Sequence, residues 1–253
     1  MAVIYKHMKQ THFDEIAINY DEQIPKHIRE HLCAKKVDFI LKNLTIYKSG
    51  INYNRLKGLD CGCGTGWHIE KFWEKGFIVD GIDNSKEIIA QAKINNRNTM
   101  VHFVVSSVNK IAFKDKTYDF IYFINLLHHL DTLDMQKNAI MEAHRLLKNG
   151  GMLFIHEVNE DFLLFKIYMK YIFPFTNKLH RGRRKERYLG IKHILDIVKD
   201  NWLLCGIEYF TFLPNITPAF AFPFIKKLEA FLERSTKNKF GAHWIITLEK
   251  VQR

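Results

Sequence analysis

Cysteine and long apolar runs are both scarce in this chain. Of its 253 residues, 4 are cysteine. Cys33 and Cys205 stand alone, and no second Cys or His pair joins Cys61 and Cys63 to complete a zinc pattern. Reduced thiols in a cytoplasmic setting are therefore expected. The longest apolar stretches are residues 162–175 and 210–225. Lys166 and Lys170 interrupt the first, and Pro214, Asn215 and Pro218 the second. Neither supplies the roughly 20 apolar residues that a membrane-spanning helix needs. Residues 1–15 show no secretory apolar region. Metal chemistry also lacks a motif. Asp131 is better explained as the cap of the following helix than as a ligand paired with Asp134. The run His156-Glu157-Val158-Asn159-Glu160 is missing the second histidine of a metalloprotease helix. No catalytic metal is expected.

What is present is base. Lys and Arg total 38 against 27 Asp and Glu, a formal charge of +11. That excess favours an acidic partner: a phospholipid surface, a nucleic acid or a phosphorylated substrate. Hydrophobic residues at 47% and charged residues at 26% are ordinary for a globular domain.

The most informative stretch is Asp60-Cys61-Gly62-Cys63-Gly64-Thr65-Gly66, between an expected strand end and a helix that begins near His68. Glycines at alternate positions describe a backbone that a ligand approaches closely, because glycine lacks Cβ and tolerates positive φ. Trp67 occupies the place of the last glycine in the dinucleotide fingerprint, which argues against that class of ligand. Asp60 at the loop entrance asks for a cationic or hydroxylated ligand. Asp83 closes a second strand about 20 residues beyond the loop, the usual distance for an acid that holds ribose hydroxyls. Taken alone, Asp83 also reads as a helix cap for the segment that starts at Ser85.

Together with Gly81-Ile82-Asp83, Tyr118-Asp119-Phe120-Ile121, Leu127-His128-His129-Leu130 and Arg145-Leu146-Leu147-Lys148-Asn149-Gly150-Gly151, the loop resembles that of the class I S-adenosylmethionine-dependent methyltransferases. The small-molecule and quinone-type subgroup is the most similar. The resemblance spans roughly residues 53–158. It implies S-adenosyl-L-methionine as cofactor, with Asp60, Gly62, Gly64 and Gly66 against its methionine part and Asp83 on the ribose. Asn84, Val108 and Asn125 would complete the cradle. Ser107 stands where many relatives carry an acid for the adenine amino group. Tyr20 resembles an aromatic that closes over the cofactor, and equally reads as an ordinary packed tyrosine. His128 and His129 are candidate general bases, since imidazole titrates near neutrality; a structural role for one ring is the competing reading.

Strands alternating with helices predict an α/β, doubly wound, mostly parallel seven-stranded sheet of Rossmann-like type, with N-terminal helices and an inserted cap. We expect a single domain: an N-terminal helical segment over 1–50, a cofactor-binding core over 51–160, the cap over 161–200 and closing strands over 201–253. The resemblance implies that the last strand runs antiparallel. A helix over 135–147 is predicted to stop at Lys148-Asn149-Gly150-Gly151.

The acceptor is read by exclusion. Asn125-Leu126-Leu127-His128 replaces the Asn/Asp-Pro-Pro-aromatic motif of enzymes that methylate nucleic-acid amino groups. The nucleophilic cysteine of cytosine-carbon enzymes and the paired-glutamate loop of protein arginine enzymes are also missing. A small-molecule or lipid-linked acceptor is expected, with oxygen as the receiving atom and no nucleic acid favoured. An RNA methyltransferase and a non-catalytic cofactor-binding protein are the rivals. Oligomeric state is left open. Residues 162–187 combine an apolar helix with Arg181, Arg183, Arg184, Lys185 and Arg187. That pattern fits peripheral contact with an anionic membrane, and equally a lid over the substrate pocket beside a solvated basic loop.

Overall fold

A computed structural model describes residues 24–47, 56–96, 100–167, 170–171, 190–210, 217–235 and 241–251. Its elements run α1 (Lys26–Tyr47), β1 (Lys57–Cys61), α2 (Trp67–Glu74), β2 (Ile78–Asp83), α3 (Lys86–Asn95), β3 (Phe103–Val105), β4 (Tyr118–Ile124), a 3₁₀ turn (Leu127–His129), α4 (Leu133–Leu146), β5 (Leu147–Val158), α5 (Leu163–Ile167), α6 (Ile191–Val198), β6 (Trp202–Phe210), α7 (Phe222–Ser235) and β7 (His243–Lys250). The seven strands form one sheet in the order β3-β2-β1-β4-β5-β7-β6. β1 to β5 pair in parallel, and β7 is antiparallel to both β5 and β6. The expected doubly wound, mostly parallel sheet with a reversed last strand is what the chain forms.

The central strands are apolar on both faces because both are covered. On one face α4 and α6 bring Ala139, Ile140, Ala143, Ile194 and Val198 against Leu59, Cys61, Ile121, Phe123, Leu153 and Ile155. On the other, α1, α2 and α3 bring Val37, Ile40, Leu44, Ile69, Phe72 and Ile89 against Phe120, Tyr122, Phe154 and Ile245. Phe72 lies 5.2 Å from the Tyr122 ring and 5.6 Å from Phe120. Gly58 makes room for this stack: a Cβ there would fall 2.4 Å from Phe120 Cζ. Burial of each such ring contributes about 1.5–3 kcal/mol.

Two local expectations are corrected. The cap of α4 is Thr132, not Asp131; its hydroxyl accepts from Met135 N at 3.1 Å. A threonine in extended conformation reaches the free amides of the first turn, and Asp131 lies one residue too early. The helix α4 ends at Leu146, where the stop signal places it, but the glycines that follow already belong to β5. Leu147 passes straight from helix into β5 and pairs with Tyr118, and the register shifts before Phe120 pairs with Met152. Gly150, at φ +67°, lies within that irregularity. Within the cap range, α5 and α6 are the helices of the described residues, and most of the expected apolar helix lies outside them. The basic run 181–187 lies outside the described residues.

Candidate functional site

The loop after β1 is shaped by backbone hydrogen bonds to its neighbour strand. Gly62 N and Cys63 N both donate to Ile82 O, at 2.8 and 2.9 Å. Gly62, Gly64 and Gly66 have φ of +76°, +52° and +86°, conformations that side chains rarely adopt. Gly64 N donates to Asp83 Oδ2 at 3.2 Å, so the loop and the end of β2 are joined at the residue expected to hold a ribose. Asp83 Oδ1 accepts from Ser85 N at 3.0 Å. The cap of α3 is Ser85, whose Oγ accepts from Ile88 N at 3.1 Å. Asp83 is therefore a loop-joining carboxylate ahead of the helix rather than its cap.

Asp60 is buried, and its Oδ2 has no hydrogen-bond partner among the described residues. Burial pushes its carboxyl well above the usual range; the nearby Tyr122 hydroxyl opposes that and Asp83 adds to it. Such a carboxyl is costly to leave without a counter-group. At the end of β4, Asn125 takes φ +54°, with its Oδ1 buried and unpartnered and its N–H donating to His156 O at 2.9 Å. Strained, unsatisfied groups gather at binding sites. Asn84 is exposed. Ser107 is exposed too, and its Oγ accepts from Asn109 N at 3.3 Å, while Val108 is buried. Tyr20 lies outside the described residues. The expected cradle residues Asp60, Gly62, Gly64, Gly66, Asp83 and Asn125 are thus brought together by the neighbouring carboxyl ends of β1, β2 and β4, where ligands of doubly wound sheets sit.

The paired histidines differ from one another. His128 is buried, and its Nδ1 lies 2.5 Å from Glu157 Oε2. The other oxygen of Glu157 accepts from Leu127 N at 2.7 Å, and Gln136 Nε2 donates to Leu127 O at 3.0 Å. The 3₁₀ turn is thereby fastened to β5 and α4. His129 is half-buried, with its ring 4.0 Å from that of His128.

Sequence reasoning missed a second group, on the α1 side of the sheet. His156, two residues beyond Phe154 on β5, stacks on His243 of β7 with ring centroids 4.9 Å apart. His68, at the start of α2, meets Tyr122 edge-on at 6.3 Å. Lys36 of α1 is 7% exposed, and no carboxylate lies within ion-pair distance of it among the described residues. Burial lowers its amine to about 8. Burial, with Lys36 assisting, lowers His68 and His243 to about 3 and takes His156 well below the usual imidazole range. These imidazoles are neutral at physiological pH. The available signal was a lone histidine at the end of an otherwise apolar strand, Met152-Leu153-Phe154-Ile155-His156. Its partners on α1, α2 and β7 are too distant in sequence to be inferred. No group of three or more His, Cys, Asp or Glu side chains is arranged to hold a metal among the described residues.

Comparison with known proteins agrees with this geometry. Residues 59–155 match a family model described as a methyltransferase domain. The chain is 29% identical to an uncharacterized protein of Methanocaldococcus jannaschii over 59% of this chain and 64% of that one. It is 31% identical to the ubiquinone biosynthesis O-methyltransferase of Pelagibacter ubique over 48% of this chain and 50% of that one. The matched part thus spans about half to two thirds of these curated relatives. Magnesium protoporphyrin IX methyltransferase from Synechocystis, solved with bound SAH, superposes with a TM-score of 0.64 at 14% identity, covering 94% of this chain and 96% of that one. Residues 59–155 thus carry a methyltransferase domain, and the chain has the fold of S-adenosylmethionine-dependent methyltransferases.

Proposed function

We propose that this protein transfers the methyl group of S-adenosylmethionine to an oxygen of a small-molecule or lipid-linked acceptor. The observation that carries the reading is the junction of the glycine loop with Asp83, beside the buried carboxyl of Asp60, whose Oδ2 has no hydrogen-bond partner among the described residues. A cationic ligand would relieve Asp60, and a carboxylate such as that of Asp83 accepts from a vicinal diol, so these residues fit the cofactor. The cofactor, when bound, supplies a methyl group on a positively charged sulfur. The chain's own work is alignment and exclusion of water, which lower the barrier to an in-line displacement by several kcal/mol. Oxygen as acceptor is supported by the relative described as an O-methyltransferase.

Of the two candidate bases, His129 is the better placed to exchange a proton with substrate. His128 is occupied by Glu157 on one nitrogen and serves to position the turn. His129→Ala is expected to lower turnover about 10²- to 10⁴-fold with cofactor affinity intact, and to remove a limb of the pH–rate profile near neutrality. Unchanged turnover from pH 6 to 9 would leave alignment as the whole mechanism. The reading itself is tested by incubating the protein and a metabolite extract with isotopically methyl-labelled cofactor and following the label by mass spectrometry. Label confined to RNA would transfer the assignment to that class. Calorimetry showing NAD binding in place of S-adenosylhomocysteine would defeat the assignment altogether. Residues 162–187 are read as a peripheral contact with an anionic leaflet of the cytoplasmic membrane surface. Charge reversal at Arg181, Arg183 and Arg184 checks that contact by vesicle sedimentation.

A further inference from the structure

α7 presents two opposite faces. The inner one is fixed to α1. Phe222 meets the His27 and His31 rings edge-on at 5.1 and 5.5 Å. Ile225 packs with Ile28 and Leu32. Glu229 Oε2 accepts from His31 Nε2 at 2.9 Å and pairs with Lys35 at 3.3 Å, and Glu233 also pairs with Lys35. Both acids of the helix are thus held against α1.

The outer face is apolar. Phe224 is 73% exposed, Leu228 46% and Phe231 64%, and Phe220, just before the helix, is 89% exposed. The spacing of four, four and three places these side chains in one stripe along the axis. Lys226 and Lys227 are exposed on the same helix. Isolated apolar residues at a surface are ordinary, but a stripe of three phenylalanines and a leucine is a contact site.

We infer that this stripe inserts into the headgroup–acyl boundary of an anionic phospholipid leaflet. Three observations select lipid over protein. The helix has exposed cations and no exposed acid, which complements an anionic surface. A second copy seated on the same patch would bring Lys226 and Lys227 toward their own duplicates, within a chain of net charge +11. Phenylalanine and leucine on one face with lysine beside them is the composition of a helix lying in the interface plane. Among the described residues no helix is long and apolar enough to cross a membrane. The inference deepens the lipid-linked reading of the acceptor, since α1 joins this stripe to the site: its first turns hold α7 and its middle carries Lys36. It uses none of residues 162–187.

The test is sedimentation of the full chain with vesicles of phosphatidylcholine, with and without phosphatidylglycerol, at low and high salt and without acceptor. Wild type should pellet with the anionic vesicles at low salt. Phe224→Ser with Phe231→Ser should lower partitioning about ten-fold or more, since two aromatic side chains leave the interface. Lys226→Glu with Lys227→Glu should weaken binding to anionic vesicles and flatten its salt dependence. Each variant should bind S-adenosylhomocysteine like wild type by calorimetry, which separates failure of the stripe from failure of the methyltransferase reading. Wild type left in the supernatant, or a Ser variant that pellets fully, overturns the inference. So does a wild-type dimer that the Ser variant converts to monomer, because the stripe would then belong to a second copy.

Discussion

The two halves of the candidate site are built from different materials. On the β1–β2 side, position is set by backbone: three glycines at positive φ, two amides donating to Ile82 O, and one donating to Asp83. On the β4–β5–β7 side, it is set by side chains far apart in sequence, such as His128 with Glu157 and His156 with His243. A backbone-built site is stiff and asks little of side-chain chemistry, which suits a ligand that does not vary. A side-chain-built site can be re-specified residue by residue without disturbing the fold, which suits the variable partner, the acceptor.

The largest effect expected from breaking this contrast lies on the backbone side. At Gly66 a Cβ would stand 2.4 Å from Asn96 Nδ2 and 3.3 Å from Phe103 Cε1, at φ +86°. Gly66→Val therefore combines left-handed strain with a clash where Asn96 must move. Affinity for S-adenosylhomocysteine should fall about 100-fold or more by calorimetry, on the order of 3 kcal/mol, with the far-ultraviolet dichroism of the sheet unchanged. Binding within a few-fold of wild type would show that the loop is not where the ligand approaches.

The same contrast explains what the sequence made legible. The glycine loop, Asp83 and the apolar β4 are local patterns, and each folds as read. Thr132 rather than Asp131 as a cap is a one-residue matter of dihedral angle, which composition cannot resolve. Lys148-Asn149-Gly150-Gly151 signals the helix stop correctly but hides that the strand begins at once. In the fold, Leu147 is already paired with Tyr118, and the strand absorbs the glycines. The group of Lys36, His68, His156 and His243 draws one member from each of α1, α2, β5 and β7. No window of sequence contains it.

An intermediate effect is expected on the side-chain half. Lys36 titrates at about 8 in the fold because burial disfavours its charge, against an ordinary value of 10.5. Below pH 8 both folded and unfolded chains carry the proton, and the folded state bears the full cost. Between pH 8 and 10.5 the unfolded chain binds more protons, so stability rises with pH by about 3 kcal/mol. Lys36→Met should remove that rise and raise the melting temperature at pH 7. His68 and His243, lowered to about 3 by burial, act in another window: their contribution is present above pH 6.5 and is lost as pH falls toward 3. Thermal melts from pH 4 to 10 read both limbs. An unchanged alkaline limb in Lys36→Met would mean that the amine is solvated or paired.

The smallest effect separates the two readings of Asp83 that the sequence left open. If Asp83 is the ribose acid and Ser85 the cap, their substitutions should move different observables. Ser85→Ala removes the hydroxyl that accepts from Ile88 N and should cost about 1 kcal/mol of stability, the usual worth of an N-cap. Its affinity for S-adenosylhomocysteine should be that of wild type, because the Ser85 side chain is buried and turned into its own helix. Asp83→Ala should instead cost about 1.5–3 kcal/mol of cofactor affinity, the worth of hydrogen bonds to a charged group. It would also release Gly64 N and Ser85 N, so a small loss of stability accompanies it. Asp83→Asn sharpens the test, because the amide keeps one acceptor oxygen of the same shape and loses the charge. Affinity lost in Asp83→Asn with the melting temperature held identifies the carboxylate as a ligand to the cofactor. Melting temperature lost in both Asp83 variants with affinity held would return Asp83 to a purely structural role, and the β2 side of the site would then rest on the glycine loop alone.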